Sequence, residues 1–334
     1  MSQTDVSAKS SPAPFHIARG VGGTMDPGPL AGAVVAIGNF DGVHRGHRAV
    51  IGAAQARARA LGRPAAALTF LPHPRQFFRP QDPLFLLSSL SDKMRLLAAT
   101  GLDGAVVMTF DAALAATPAE DFIGNILAGR LAIGGAAIGF DFHFGKNRTG
   151  SPAYLTEQGA RRGFPVDVVP PLEDEGRPVS SGSIRQALAA GRVVEAAELL
   201  GYPWFVTAEV IHGEKRGREL GFPTANMKLD PACGLKHGIY AVRARVGGEL
   251  RDGVASFGRR PMFDDGAPLL EVFLFDFAGD LYGRVIEVAF IGWIRPELTF
   301  ASIEVLREQM AADAAQARDA LARAAGAFPV LGAV

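Results

Sequence analysis

The stretch AVVAIGNFDGVHRGH, residues 33–47, joins a short apolar run to a glycine-rich turn that carries two histidines. The run Ala33–Gly38 has no charged residue and suits a strand that is buried on both faces of a parallel sheet. A helix-like segment follows the turn, from about Arg48 to Leu61. Such a junction offers free backbone N–H groups and the positive end of a helix dipole, which together bind phosphate. The stretch therefore predicts an α/β unit with a phosphate site at its turn.

Similar apolar runs recur through the first half of the chain, with helix-like segments between them. The runs are Pro64–Phe70, Gly104–Phe110, Gly134–Phe140 and Phe164–Val169, and the further helical segments are Ser91–Gly101 and Pro118–Leu131. Strands that are separated by helices imply crossover connections, so this half is predicted to be a doubly wound, Rossmann-like α/β domain. Ligands of such domains bind at the carboxyl ends of the strands.

The second half of the chain has short period-two strands that are separated by turn residues. These strands are Tyr202–Gly213, Gly238–Gly248, Val254–Gly258, Leu269–Phe277 and Tyr282–Trp293, and the helical segment Ser302–Gly326 follows them. The pattern predicts a small antiparallel β-barrel that is closed by a C-terminal helix. We therefore expect a mobile tail over 1–25, an α/β domain over 26–200 and a barrel domain over 201–334.

Composition narrows the classes of partner. The 34 Lys and Arg residues balance 34 Asp and Glu residues, which removes the long-range attraction to nucleic acid or to an anionic membrane. The single cysteine, Cys233, cannot form an intramolecular disulfide and favours a reducing cytoplasm. The N-terminal residues have no apolar signal-peptide core, and no uncharged apolar run approaches the roughly 18 residues of a membrane span. We expect a cytoplasmic protein that is a monomer or a weak homo-oligomer.

The two histidines of the turn, His44 and His47, are more consistent with a phosphate site than with a metal site. A metal site needs a third or fourth ligand at suitable spacing, and none lies nearby. Imidazole N–H groups that point at a phosphate would neutralise charge as a phosphoanhydride breaks. Gly38, Gly42 and Gly46 would let the backbone approach a nucleotide closely. The alternative is a structural or accidental pair. No Gly-x4-Gly-Lys-Ser/Thr loop occurs in the chain, which excludes a P-loop as the source of ATP binding.

The stretch GNFDGVHRGH, residues 38–47, resembles the His-x-Gly-His signature of the nucleotidyltransferase superfamily, in the version found in bacterial bifunctional riboflavin kinase/FAD synthetases. Further blocks resemble that family in the same order along the chain. They are LTFLPHPRQFF (68–78), LSSLSDKMRLL (87–97), IGFDFHFGKNRTG (138–150), SSGSIRQAL (180–188) and HGEKRGRELGFPTAN (212–226). The resemblance covers roughly residues 34–318.

The resemblance implies a nucleotide site in the first half. His44 and His47 would contact the ATP phosphates and stabilise the transition state at the α-phosphate. The turn that binds the nucleotide would be Gly38, Asn39, Phe40, Asp41 and Gly42. A second element would hold the β- and γ-phosphates through Ser180, Ser181, Ser183 and Arg185, as hydroxyls at a helix start and a planar guanidinium can. Asp141 is a candidate for flavin or nucleotide recognition. The alternatives are an ordinary serine N-cap with a surface arginine, and a turn cap at a strand end.

The resemblance also implies a second ATP site in the barrel. The loop residues Lys215, Gly217 and Gly221 would surround phosphates, and Thr224 with Asn226 would bind Mg²⁺, which enters as MgATP and takes few protein ligands. Glu271 falls where the family has its catalytic glutamate. It alternates with Phe273 and Phe275 on one face, which we predict to point inward. A partly desolvated carboxylate there would activate the ribityl 5′-hydroxyl; the alternative is a solvent-facing glutamate.

Together these features predict an enzyme with two activities on one chain. The barrel would phosphorylate riboflavin to FMN, and the α/β domain would transfer the adenylyl group of ATP to FMN, which forms FAD and releases pyrophosphate. Two alternatives stay open. One is a nucleotidyltransferase whose acceptor is not FMN, and the other is a flavin-binding protein without catalysis. Gly182 and Met262, which depart from the family pattern, keep the second alternative open. Arguing against it are the intact residues His44, His47, Thr224, Asn226 and Glu271.

Overall fold

The structure, a computed structural model, describes residues 14–20, 26–174, 176–213, 221–259 and 268–334. Its strands in the first half are β1 His16–Gly20, β2 Val34–Ile37, β3 Ala65–Leu71, β4 Gly104–Thr109, β5 Gly135–Gly139, β6 Val166–Val169, β7 Glu173–Asp174 and β8 Arg177–Pro178. The first six form one parallel sheet in the order β1-β4-β3-β2-β5-β6, and β7 and β8 form a small antiparallel ribbon. This confirms the predicted parallel sheet.

Helices cover both faces of this sheet. They are α1 Arg45–Leu61, α2 Pro74–Phe78, α3 Leu90–Ala98, α4 Ala112–Ala116, α5 Ala119–Asp121, a π-helix Phe122–Arg130, α6 Pro152–Arg161, α7 Ser181–Ala189 and α8 Val193–Leu200. Strand β2 shows the division between the faces: Val34 and Ala36 belong to one buried core with α1 and α3, whereas Val35 and Ile37 belong to a second core with the π-helix. The domain is therefore doubly wound, as predicted.

Strand order in the sheet reverses between β2 and β5, which lie side by side. Connections from these two strands leave in opposite directions, so a crevice opens beyond their carboxyl ends. The turn at residues 38–44 follows β2, and Asp141 follows β5. The topology thus brings the histidine turn and the predicted recognition residue to one place.

The predicted mobile tail over 1–25 is wrong for His16–Gly20. These residues form β1, which pairs in parallel with β4 along its whole length. Ala18 of this strand is buried in the second core. A strand at the edge of a sheet bonds on one side only and tolerates polar residues, so the sequence HIARG carries no strong apolar pattern. Residues 1–13 and 21–25 lie outside the described residues.

The second half forms a closed antiparallel barrel in the order β10-β13-β12-β11-β14-β9. Its strands are β9 Phe205–Ile211, β10 Ala225–Lys228, β11 Gly238–Val246, β12 Glu249–Arg259, β13 Pro268–Leu274 and β14 Val285–Arg295, and the helix α9 Ile303–Arg323 follows them. The barrel and the C-terminal helix are confirmed. Strand β10, which the sequence did not predict as a strand, begins within the segment expected to bind Mg²⁺.

The C-terminal helix covers one outer face of the barrel. Tyr240, Val242 and Ala244 of β11 are fully buried inside, as the alternation predicts. Arg243 points to the opposite face and is nevertheless buried, because its guanidinium donates to the carbonyl oxygens of Leu321, Ala324 and Ala327 at the end of α9. These charge-assisted hydrogen bonds hold the helix end on the barrel.

The two domains pack directly on one another. Trp204 Nε1 donates to the Leu87 carbonyl at 2.9 Å, and Thr207 Oγ1 donates to Asp92 Oδ1 at 2.8 Å. The first core continues without a break from α1 and α3 into the barrel interior. Among the helices of the described residues, none has the length and apolar character needed to cross a membrane.

Candidate active sites

A cavity of about 1380 Å³ lies at the carboxyl ends of β2 and β5. The predicted site residues that line it are Gly38, Asn39, Phe40, His44, Gly46, His47, Asp141, Ser180, Ser181 and Arg185. Pieces of chain separated by more than 100 residues therefore meet in one crevice. This volume is larger than that of a typical single-ligand site, about 300–1,000 Å³, and suits two substrates side by side.

The helix behind the histidine pair begins earlier than the sequence predicts, at Arg45 instead of about Arg48, with His44 as its N-cap. His44 Nδ1 accepts the backbone N–H of His47 at 3.3 Å, which assigns the imidazole proton to Nε2. The two rings stack with centroids 3.6 Å apart. His47 Nδ1 is buried and has no hydrogen-bond partner among the described residues. Both rings therefore lie at the start of α1, where the helix N-terminus stabilises a bound phosphate.

Both imidazoles are neutral in water near pH 7. Burial, together with the Arg185 charge, lowers the pKa of His44 to about 4. Burial also lowers the pKa of His47 well below its usual value, and the charges of His44 and Lys93 act in the same direction. In the free protein the pair therefore acts through single N–H donors, not as two cations. Positive potential at the phosphate end must come from the helix start and from other residues.

Asp41 and Gly42 do not line the cavity, in contrast to the expectation that they bind the nucleotide. The Asp41 carboxylate forms an ion pair with Arg185 and accepts the backbone N–H groups of Leu87 and Ser88. Gly42 has a φ of 79°, and a Cβ there would meet Leu87 at 3.0 Å. Both residues support the turn from behind, and their binding of the nucleotide stays a prediction.

The serine element forms the start of α7. Ser180 is the N-cap, and Ser180 and Ser183 bond reciprocally as a capping box. Ser183 Oγ also donates to the Pro178 carbonyl at 3.1 Å, so this hydroxyl is engaged and lies outside the cavity lining. Ser181 Oγ donates to the Asp41 carbonyl at 3.0 Å. The element thus ties the α7 start to the histidine turn, with Ser180, Ser181 and Arg185 facing the cavity.

The rest of the cavity wall is aromatic and basic. Asp141 lines it beside Phe140. Phe78, which is 62% exposed, also lines the cavity and packs edge-on against Phe77 and Phe110. Exposed aromatic rings in a crevice suit a flat ring system as ligand.

Sequence reasoning missed two basic residues at this site, a half-buried histidine and a buried lysine. His73, the N-cap of α2, lines the cavity, and Lys93 of α3 lies behind the turn. Both lie in family-like blocks, 68–78 and 87–97, to which the sequence assigns no site residue. A His-Pro pair after a strand and a lysine inside a strongly apolar helix were the available signals.

The depressed histidine pKa values predict acid sensitivity. Burial, and then the Lys93 and Arg185 charges, lower the pKa of His73 to about 4, as for His44. Between pH 6.5 and 4 the unfolded chain binds protons that the folded chain does not, so stability falls as the pH falls through this range. We expect a lower Tm at pH 5 than at pH 7, measured by differential scanning fluorimetry. The variant His73→Gln should have a smaller Tm difference between pH 7 and pH 5, whereas His143→Gln, which changes an exposed histidine, should keep the wild-type difference. An equal Tm difference in the wild type and both variants contradicts the prediction.

The barrel holds the second set of predicted residues. Glu271 of β13 pairs across the ladder with Asn226 of β10 and Ser256 of β12, and directly paired residues share a face. The predicted inward face is wrong: Leu270, Val272 and Leu274 fill the barrel, and Glu271 lies on the outside. Strand β13 carries large apolar residues on both faces, so alternation alone cannot choose the inner one.

The surroundings of Asn226 are tight. Its side chain is buried, and its amide donates to the Thr224 carbonyl at 3.4 Å. A Cβ on Gly213 would lie 2.4 Å from this amide, so a side chain at 213 is excluded. Phe222 packs edge-on against Phe273 with centroids 5.1 Å apart. Gly221 has a φ of 84°, and the predicted residues Lys215 and Gly217 lie outside the described residues.

The structure thus places a histidine pair at a helix start in one domain and a carboxylate beside an asparagine on the other. A family model described as FAD synthetase matches residues 27–183, and one described as riboflavin kinase matches residues 200–321. The bifunctional riboflavin kinase/FMN adenylyltransferase of Pseudomonas fluorescens is 40% identical over 86% of this chain and 92% of its own length. The enzyme of the same name from Escherichia coli K12 is 38% identical over 88% of this chain and 95% of its own length.

The chain belongs to the family of bifunctional riboflavin kinase/FMN adenylyltransferases. It phosphorylates riboflavin to FMN and adenylylates FMN to FAD, both with ATP. Among solved structures, a protein of Streptococcus pneumoniae described as a macrolide-efflux protein has a TM-score of 0.78 and 32% identity, over 86% of this chain and 94% of that one. This likeness supports the two-domain fold.

Proposed function

We propose that the two reactions use the two separate sites described above, with adenylyl transfer in the α/β domain over 26–200 and phosphorylation on the barrel domain over 201–334. The observation that carries the proposal is the stacked histidine pair at the start of α1, which faces a crevice large enough for ATP and a flavin. The barrel separately offers a carboxylate beside an asparagine on its outer face.

In the α/β cavity, a phosphate oxygen of FMN attacks the α-phosphorus of ATP, and the bond from that phosphorus to the bridging oxygen breaks. Pyrophosphate leaves with the electron pair, and FAD forms. No protein nucleophile is needed, because FMN supplies the attacking oxygen. His44 donates from Nε2, and His47 and Arg185 bind oxygens whose charge increases in the transition state. The cavity's exposed aromatic rings receive the isoalloxazine.

On the barrel, Glu271 accepts the proton of the ribityl 5′-hydroxyl as that oxygen attacks the γ-phosphorus of ATP. The bond from that phosphorus to the β–γ bridging oxygen breaks, ADP leaves with the electron pair, and FMN forms. The Thr224 hydroxyl and the Asn226 amide oxygen would hold Mg²⁺ together with the phosphates. The donor set fits: Mg²⁺ takes few protein oxygens and keeps several waters. When bound, the ion neutralises phosphate charge. No cluster of three or more His, Cys, Asp or Glu that would suit a tighter metal site occurs in the described parts of the chain.

The ligands we propose are riboflavin, FMN and MgATP, without nucleic acid or membrane. A monomer or weak homo-oligomer stays our expectation. Cys233 is a buried free thiol, which supports the proposal of a reducing cytoplasm.

The product balance of one reaction tests this function. Riboflavin with MgATP should give FMN first and FAD later, with pyrophosphate released in equal amount to FAD, and chelation of Mg²⁺ should stop FMN formation. Chromatography with a coupled pyrophosphate assay measures both. Riboflavin returned unchanged would contradict the kinase assignment. FMN that accumulates with ATP present, without pyrophosphate, would instead favour an acceptor other than FMN.

A further inference from the structure

Lys93 is a buried cation that the two-site function does not explain. It lies on α3, between Asp92 and Met94, and its side chain is 5% exposed. Its Nζ donates to the backbone carbonyl of Asn39 at 2.9 Å. A buried ammonium is costly unless it is paired or used. This one donates to a neutral carbonyl oxygen; burial lowers its pKa, and the Asp41 carboxylate opposes that shift through space.

The carbonyl that Lys93 holds belongs to a strained turn. Phe40 and Val43 have φ values of 49° and 38°, which side-chain-bearing residues adopt only where the surroundings impose them. The Asn39 carbonyl also accepts Thr69 Oγ1 at 3.1 Å. Asn39 itself lines the cavity, whereas Lys93 is not among the described residues that do. Lys93 therefore supports the cavity-lining residue Asn39 from the side of the turn that faces away from the cavity.

The charges behind the turn do not cancel, and Lys93 carries the net positive charge. The neighbouring carboxylate, Asp41, is paired with Arg185, and His44 and His47 are neutral near pH 7. The ammonium lies in a poorly hydrated interior, where its field reaches the cavity with little screening. ATP and pyrophosphate carry several negative charges at that wall, and their charge redistributes as the α-phosphorus is attacked.

We propose that Lys93 is a positioning residue for adenylyl transfer, which fixes the Asn39 carbonyl and places a buried positive charge behind the phosphate-binding turn. The proposal rests on the assignment of adenylyl transfer to this cavity. It predicts that the charge stabilises the transition state and the pyrophosphate product more than it stabilises bound FMN.

The test is Lys93→Met in the full chain, a change that keeps length and removes charge. We expect kcat for FMN adenylylation to fall about 10-fold to 100-fold. The inhibition constant of added pyrophosphate should rise about 10-fold, while the KM for FMN stays within about three-fold. A merely structural role would change the FMN KM and the pyrophosphate constant together. Riboflavin phosphorylation on the same chain serves as an internal control, and the exposed Lys236→Met is the matched control variant.

Three further variants keep the test decisive. Thr69→Val removes the other hydrogen bond to the Asn39 carbonyl and keeps the Lys93 charge, so kcat for FMN adenylylation should fall less than about five-fold. A fall in kcat equal to that of Lys93→Met overturns the role of the charge. Lys93→Gln keeps a donor without charge and decides the question if Lys93→Met does not fold. Adenylylation by Lys93→Gln or by folded Lys93→Met within three-fold of wild type overturns the proposal. His47→Ala in the same assay separates this failure from failure of the site assignment.

Discussion

FAD formation from FMN is expected to fall at least about 100-fold when His47 is replaced by alanine, while riboflavin phosphorylation stays within about two-fold of wild type. The ring of His47 stacks on His44 at 3.6 Å and stands at the start of α1 beside the cavity. Its loss removes a donor to the developing charge and leaves His44 without its stacking partner. Steady-state assays with FMN, and separately with riboflavin, measure the two activities on one preparation.

The matched control is His237→Ala, which removes a 41%-exposed imidazole on the barrel and should leave FAD formation unchanged. In His47→Ala, FMN should accumulate from riboflavin because the barrel still works. Loss of both activities by a variant with an unchanged Tm would contradict two independent sites. A decrease of less than 10-fold in FAD formation would contradict the role given to His47.

Riboflavin phosphorylation is expected to fall at least about 100-fold in Glu271→Gln, in the range typical for removal of a general base. Glutamine keeps the shape of the side chain and its place between Asn226 and Ser256, but it cannot accept the hydroxyl proton. Conversion of supplied FMN to FAD should stay within about two-fold of wild type. Because phosphoryl transfer depends mainly on positioning and on charge neutralisation, a residual rate is expected.

Glu249→Gln provides the matched control for this variant, since Glu249 pairs with Arg251 on an exposed part of β12. Its kinase activity should equal that of the wild type. If Glu271→Gln keeps more than a tenth of the wild-type rate, Glu271 is not the base. The supplied-FMN assay then shows whether the α/β site was disturbed at the same time.

The neutral state of the histidine pair refines the chemistry that the sequence suggests. The sequence predicts that imidazole N–H groups point at a phosphate but does not give their protonation state, and burial of both rings lowers their pKa values. The positive potential of the cavity then comes from the α1 start and, in our proposal, from Lys93. Burial and charge at a distance belong to the folded chain, so no motif contains this information.

Most strands of the α/β sheet were predictable because strands buried on both faces appear as short uncharged runs bounded by helices. Strand β1 was missed because it lies at the sheet edge, and β10 was missed because its four residues include Asn226 and follow a proline turn. The inner face of β13 was assigned wrongly because Glu271, Phe273 and Phe275 alternate with equally apolar neighbours.

The amino-acid sequence by itself determined the two domain types, the histidine turn at a strand end, and the chemistry of the groups that each site offers. Periodicity and residue type are local properties, so they can be recognised without knowing which segments come into contact. Only the tertiary structure decided that Asp41 turns away from the cavity toward Arg185, that Glu271 lies outside the barrel between Asn226 and Ser256, and that Lys93 reaches Asn39 across 54 residues. Those outcomes depend on which distant segments pack together, and the free energy of that packing is a property of the whole fold.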